Sequence, residues 1–259
     1  MNPSTSIGFI GGGRVATILL GGLARSGQLP QSVVVSDPDQ AVLERLSRLH
    51  PSVQTTHDNH GAAAQDIIFL AVHPPLASQV LPETAPVFQT AAAVISLLPK
   101  FTFEKLQSLA SGFDHFVRMI PNAPSIIGKG YNPLAFSAGV SPESRKLVRE
   151  LCGAWGTAPE VPEHTLEAYA ILTAMGPTYF WPQLYELVQL GEQFGLSRDD
   201  ALVGIQHMLA GTAATMLEAG LTPEQVQDLI PVKPLKDEQA ALLEAYRIRL
   251  PALMNKIRP

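Results

Sequence analysis

The chain has 259 residues, 46% of them hydrophobic and 16% charged, with a formal net charge of −5 and one cysteine. That length fits two domains better than one, and the apolar share excludes intrinsic disorder. Mild acidity without a Lys/Arg run leaves no footprint for nucleic acid or an anionic membrane. The start Met-Asn-Pro-Ser-Thr-Ser lacks signal-peptide features, and no apolar run is long enough to span a bilayer, so the expectation is a cytoplasmic protein acting on a small molecule.

In chain order, Ile7–Ile10, Val33–Val35, Ile67–Val72, Val94–Leu98 and His115–Met119 are predicted strands, each bounded by Gly, Pro, Asp or Asn. Amphipathic stretches near 14–26, 38–49, 76–89 and 102–111 separate them, which predicts a βαβ succession with a mostly parallel sheet, a doubly wound α/β domain over residues 1–160. Ser141-Pro142-Glu143 opens a further helix that Gly153 and Gly156 close. Beyond about residue 160 strand signals stop, and 161–259 reads as an all-α domain. It comprises a long apolar stretch over 164–194, a helix from Ser197 to Gly220, a capping box at Thr222-Pro223-Glu224-Gln225, and a helix over Asp237–Leu250. The Leu, Ala and Met stripe of the second helix (Leu202, Ile205, Met208, Leu209, Met216) is too broad for one small domain to bury, which predicts a homodimer through these C-terminal helices. Cys152, in Leu-Val-Arg-Glu-Leu-Cys-Gly-Ala-Trp, reads as a buried structural thiol.

The chemistry-bearing motif is Gly11-Gly12-Gly13-Arg14-Val15-Ala16, a G-x-G-x-x-A between strand and helix. Gly11 permits the tight turn, Gly13 lets backbone approach a pyrophosphate, Ala16 lets helix and strand pack closely, and the helix N-terminus faces the anion. Asp37 follows the second strand near the spacing expected of a ribose-binding acid. It reads equally as a helix cap before Pro38. An acid there repels a 2′-phosphate and leans towards NAD, whereas Arg14 stands where it meets the pyrophosphate or reaches a ribose phosphate. The cofactor is therefore written NAD(P)H. Pro177 removes a helix hydrogen bond and leaves the Thr173 carbonyl unpaired, which either aims polar groups into a cleft or only kinks the helix for packing. Of the histidines, His73 at a strand's C-terminal end is the candidate for a cofactor or substrate role. His57, Asp58 and His60 look superficially like metal ligands, but a polar loop is the better reading and no metal is expected.

The strings IGFIGGGRVA, DIIFLAVHPP, AVISLLPKFTFEKL, VRMIPNAPSIIGKG and ILTAMGPTYF followed by LAGTAATM resemble successive blocks of the pyrroline-5-carboxylate reductase family, in family order, from about residue 6 to 230. The resemblance implies a Rossmann domain followed by a helical dimerisation domain, and hydride transfer from NAD(P)H to a cyclic imine bearing a carboxylate, a step of proline biosynthesis. Carried over by position, Gly11, Gly13 and Ala16 match the phosphate turn, and Gly12, Arg14 and Val15 between them are taken as cofactor contacts. Ala71, Val72, His73 and Pro74 match the strand end along the cofactor, and Asn122 the asparagine beside the nicotinamide. Thr173, Gly176 and Pro177 match the segment that cups the substrate, and Met175 within it is taken as a substrate contact as well. Thr173 and His73 are the expected catalytic residues.

The chain also departs from the family. His73 stands where the family has lysine, Leu97-Leu98-Pro99-Lys100 replaces a small-residue turn, and Thr173-Ala174-Met175 replaces a serine-rich stretch. Pro231-Val232-Lys233-Pro234-Leu235-Lys236 replaces the family's Ser-Pro-Gly-Gly-Thr-Thr loop. The expected activity is imine reduction on a larger or more apolar substrate. Two alternatives are a cofactor-binding regulator without turnover and a dehydrogenase of a carbonyl or hydroxy acid; residues 164–194 lack the lysine the latter needs.

Overall fold

The computed structural model describes residues 5–259. Its strands in chain order are β1 (Ile7–Ile10), β2 (Val33–Ser36), β3 (Gln54–Thr56), β4 (Ile67–Leu70), β5 (Ala93–Ser96), β6 (Phe116–Met119), β7 (Gly130–Tyr131), β8 (Leu134–Phe136) and β9 (Gly156–Thr157). Every residue of β1, β2, β4, β5 and β6 is buried. Such strands read as continuous apolar runs because helices cover both sheet faces. One sheet runs β3-β2-β1-β4-β5-β6-β8, parallel except for β8, which pairs antiparallel with β6; β7 and β9 form a separate ribbon.

The register aligns Ile7 with Val33 and Ile67, so the carboxyl ends of β1, β2 and β4 share one edge, which β5 continues. Strand order reverses between β1 and β4, and the crevice above that point is where such sheets bind ligands. The helices α1 (Arg14–Arg25), α2 (Gln40–Leu49), α3 (Asn59–Ala63), α4 (Pro74–Thr84), α5 (Phe103–Leu109) and α6 (Pro142–Cys152) flank the sheet. One core sets Phe9, Phe69 and Ile95 against Leu19 and Leu23 of α1, Leu151 of α6 and Trp155. The other packs Ile68, Val94 and Phe116 on Leu81 of α4 and Leu106 of α5. Gly22 belongs to this packing, since a Cβ there would come within 2.5 Å of Trp155.

Strands expected to reach Val72 and Leu98 end at Leu70 and Ser96, and α4 starts at Pro74 rather than 76, because proline is accommodated in the first turn. The short β3 and α3 were not expected: β3 is polar and half exposed, so no apolar alternation marks it.

The apolar stretch over 164–194 is two helices. Leu166–Tyr169 (α7) runs into a π-helical turn, Ala170–Ala174, where Met175 N donates to the Ala170 carbonyl; Pro177–Gln193 (α8) then starts afresh behind Gly176. Pro177 has no N–H for the preceding helix, so the chain restarts there. The chain divides at this break. The first unit comprises the residues up to Met175 together with Leu253–Pro259, and the second is Gly176–Ala252; the sequence pattern places the change near residue 160. Residues 160–175 group with the sheet because Leu166 and Ala170 pack on Ile120 and Ala135.

The second unit holds α8, α9 (Arg198–Glu218), α10 (Pro223–Asp228) and α11 (Lys236–Ile257) up to Ala252. Helices α8 and α9 meet at Gly191, where a Cβ would lie 3.0 Å from that of Ala201. The capping box of α10 forms as expected. Most apolar side chains of this unit stay exposed, among them Leu202, Met208, Met216, Leu217, Leu229 and Ile230. Among the described residues no helix is long and apolar enough to cross a membrane.

Candidate functional site

The site begins at the turn between β1 and α1. Gly11 sits at φ +101° with its Cα facing the Ala71 carbonyl, which a Cβ would approach to 2.6 Å, so both backbone conformation and space require glycine. Gly12 fills a gap against Leu46 and Val42 of α2. Gly13 differs from both: it caps α1 with φ −66°, and a Cβ there would meet nothing within 4 Å. No side chain caps α1 and no acid lies in its first turn. The positive helix end, with backbone N–H groups that have no partner inside the helix, faces open space above Gly13, a donor set suited to a pyrophosphate.

Asp37 is fixed at the other side of this turn. Its Oδ2 accepts from Gly12 N at 2.8 Å and its Oδ1 from Asp39 N at 2.9 Å. Its own N–H donates to the Thr56 carbonyl, and its carbonyl lies 3.0 Å from His57 Nδ1, whose other ring nitrogen is 3.0 Å from Gln40 Oε1. The helix-cap reading of Asp37 is corrected, since the residue that caps α2 is Asp39, which accepts from Ala41 N. Asp37 instead ties the glycine turn to the end of β2, where the ribose of a bound dinucleotide lies in such folds.

Between these groups and β5 lies an open cavity of about 480 Å³, lined by Gly13, Arg14, Val15, Val42, Arg45, Ala71, Val72, His73 and Leu97. Two arginines and a histidine line it and no acid does, which favours an anionic ligand. His73 is exposed at the N-cap of α4, and Pro74 opens that helix. Sequence reasoning missed Val42 and Arg45. Their signal is the i, i+3 spacing on the face of α2 turned to the glycine turn.

The far end of the strand edge is built around Asn122, beyond β6. Its backbone N donates to Asn132 Oδ1, its Oδ1 accepts from Tyr131 N, and its Nδ2 donates to the Thr173 carbonyl at 3.3 Å. The carbonyl released by the break before Pro177 is therefore used to lock the helical segment onto the sheet. Thr173 Oγ1 donates to the Tyr169 carbonyl at 2.8 Å, so towards a ligand its oxygen acts as an acceptor. Tyr169 and Tyr131 face each other with ring centroids 6.0 Å apart. Desolvation first, then the neighbouring Tyr169, raises the Tyr131 pKa, and the hydroxyl stays protonated in the neutral range. Met175 lies in the same unit as Asn122 and Thr173, while Gly176 and Pro177 open the second unit.

His57 buttresses Asp37, and Asp58 caps α3 by accepting from His60 N; that bond is the first cause of the lowered Asp58 pKa. Among the described residues no group of three or more potential ligands gathers to hold a metal. Residues 229–235 link α10 to α11, and Lys233 and Lys236 are exposed.

Comparison with known proteins agrees with this geometry. Residues 6–100 match a family model described as NADP oxidoreductase coenzyme F420-dependent. The pyrroline-5-carboxylate reductase of Synechocystis is 29% identical over 231 residues, covering 88% of this chain and 85% of the relative. A solved pyrroline-5-carboxylate reductase from Coxiella burnetii superposes with TM-score 0.69 at 26% identity, covering 98% of this chain and 94% of its own. The Plasmodium falciparum pyrroline carboxylate reductase, solved with NADP bound, shares the fold with TM-score 0.75 at 20% identity over 98% and 94% of the two chains. The resemblance read from the sequence blocks is borne out, and so is the Rossmann-type fold with a helical C-terminal region.

Proposed function

We propose that this chain, similar over most of its length to pyrroline-5-carboxylate reductases, is an NAD(P)H-dependent reductase that delivers hydride to the carbon of a C=N bond in an imine or imino acid. The observation that carries the reading is the open cavity beside the glycine turn, lined by Gly13, Arg14, Arg45, His73 and Leu97 at the carboxyl ends of the parallel strands, with Asp37 fixed on the glycine turn by Gly12 N. A bound nicotinamide supplies the hydride.

In this reading Gly13 and the first turn of α1 hold the pyrophosphate, with Arg14 and Arg45 balancing its charge. Asp37 accepts from the ribose hydroxyls, and because backbone donors fix its carboxylate it cannot turn away from a 2′-phosphate, so NADH is preferred. Leu97 and the Asn122–Thr173 corner wall the nicotinamide end. The Thr173 hydroxyl gives its hydrogen to Tyr169, so its oxygen accepts from the N–H of a protonated imine and orients it. His73 lines the cavity and is exposed.

The missing carboxylate loop and the apolar Met175 argue for a substrate bulkier or more apolar than pyrroline-5-carboxylate. The uncovered apolar side chains of α9 and α10 argue that a second copy of the chain covers them. The test is NADH oxidation, followed by absorbance, with a panel of cyclic imines and imino acids. Oxidation that depends on the imine supports the reading; tight NADH binding without oxidation by any member supports a cofactor-binding regulator instead.

A further inference from the structure

A charge cluster that the catalytic reading does not use joins β6 to the segment that carries α7. Arg118, in the middle of β6, and Glu167, on α7, are each 1% exposed. The Arg118 guanidinium bonds Glu167 Oε1 through one terminal nitrogen and Glu163 Oε1, at 3.0 Å, through the other. Both carboxylates also accept from backbone: Glu163 from Phe103 N at 2.7 Å, at the start of α5, and Glu167 from Lys100 N at 3.3 Å. Lys100 sits at φ +68°, the one positive φ outside glycine among the described residues. That conformation costs free energy unless the surroundings impose it. Arg118 Nε and Glu167 Oε2 have no hydrogen-bond partner. A buried pair with unsatisfied atoms is a poor source of stability.

The cluster's position shows what it holds. Lys100 lies in the loop that leaves β5 through Leu97, and Leu97 lines the cavity beside the glycine turn. Glu167 lies six residues before Thr173, in the helical segment that Asn122 locks to the strand edge. One carboxylate therefore ties the loop that carries Leu97 to the helical segment that carries Thr173. We propose that Glu167, held by Arg118, is a positioning residue for hydride transfer, setting the Leu97–Lys100 loop and the Thr173 segment at the distance the nicotinamide and imine require. This rests on the reductase reading above.

The test opposes stability to rate with two variants. In R118M/E167M, apolar side chains of similar length replace the pair, so the melting temperature stays near that of the parent, but Lys100 N–H loses its acceptor. Hydrogen exchange of the 97–103 segment should rise at least about tenfold, and hydride transfer should fall by about 10²-fold, the order expected of a misplacement near 1 Å, with NADH affinity by fluorescence within about threefold. Glu167→Gln keeps an oxygen for Lys100 N–H but leaves the arginine less well balanced. It should melt lower yet transfer hydride faster than the double variant. A merely structural cluster gives the reverse order, rate following melting temperature, and that result overturns the proposal, as does parental exchange at 97–103 in R118M/E167M. If the double variant does not fold, Glu167→Ala, which leaves Arg118 paired with Glu163, decides: raised exchange at 97–103 supports the anchor, and parental exchange there rejects it. A parent that reduces no imine removes the reductase reading, while the exchange experiment still decides whether Glu167 anchors the loop.

Discussion

Replacing Gly13 and Gly11 separately should divide cofactor binding from folding, although the two glycines are only two residues apart. Leucine at 13 enters a position with φ −66° and no atom within 4 Å of its Cβ, so the fold has no reason to resist it. Its side chain occupies the space above the α1 N-terminus. Displacing an anion from two backbone N–H groups forfeits about 1.5 kcal/mol or more for each charge-assisted bond, about 3 kcal/mol together. That corresponds to roughly a hundredfold weaker NADH binding. Alanine at 11 should do the opposite. Forcing a Cβ to φ +101° costs about 1–3 kcal/mol, and pressing it against the Ala71 carbonyl costs about 1–3 kcal/mol more. Gly11→Ala is therefore expected to shift the urea midpoint strongly, whereas Gly13→Leu unfolds like the parent and binds NADH weakly by fluorescence titration. A folded Gly13→Leu protein with undiminished NADH affinity would refute the placement of the pyrophosphate.

Asp37→Ser should raise the NADPH to NADH preference in kcat/KM by at least about tenfold, since it removes a fixed negative charge beside the ribose; an unchanged ratio assigns selectivity to Arg14 or Arg45. Burial pushes the Cys152 thiol from 9.0 up to about 12, against the lesser opposing effect of Arg149. The folded state thus keeps a proton that the unfolded chain releases, so this contribution is complete below pH 9 and lost as pH rises towards 12. The stability difference between parent and Cys152→Ala, from urea melts at pH 8 and 10.5, should narrow at the higher pH, and a constant difference contradicts the burial argument. Light scattering should give a dimer at micromolar concentration, and a monomer would remove the second copy as the cover of α9 and α10. Reduction of pyrroline-5-carboxylate should stay well below about 10⁴ M⁻¹s⁻¹ in kcat/KM, with bulkier cyclic imines faster; the reverse order means that other contacts replace the missing loop.

The parts of the fold legible in the sequence are those where one physical demand dominates. Strands buried on both faces need unbroken apolar runs, and β1, β2, β4, β5 and β6 display them. The glycine turn was legible because only glycine meets the conformation at 11 and leaves the opening at 13. The Thr173 carbonyl was legible because a proline four residues on removes its helical donor, although its acceptance from Asn122 depends on a contact 51 residues away in sequence. Asp37 was ambiguous because Asp39 supplies the same chemistry two positions later, and only the bond to Gly12 N distinguishes them. The buried cluster went unread. Its signal was present: an arginine inside the apolar run Phe116-Val117-Arg118-Met119, and two glutamates four apart at 163 and 167 that resemble an ordinary solvated helix face. Their pairing is a tertiary fact that local pattern does not encode.

The central claim, that the cleft reduces a C=N bond at the expense of a nicotinamide, is tested most directly by incubating the protein with NADH and a bulky cyclic imine while following absorbance and product together. The account predicts one amine formed for each NADH oxidised, no oxidation without imine, and loss of both signals in Gly13→Leu at NADH concentrations that saturate the parent. NADH that binds and stays reduced with every imine offered would contradict it.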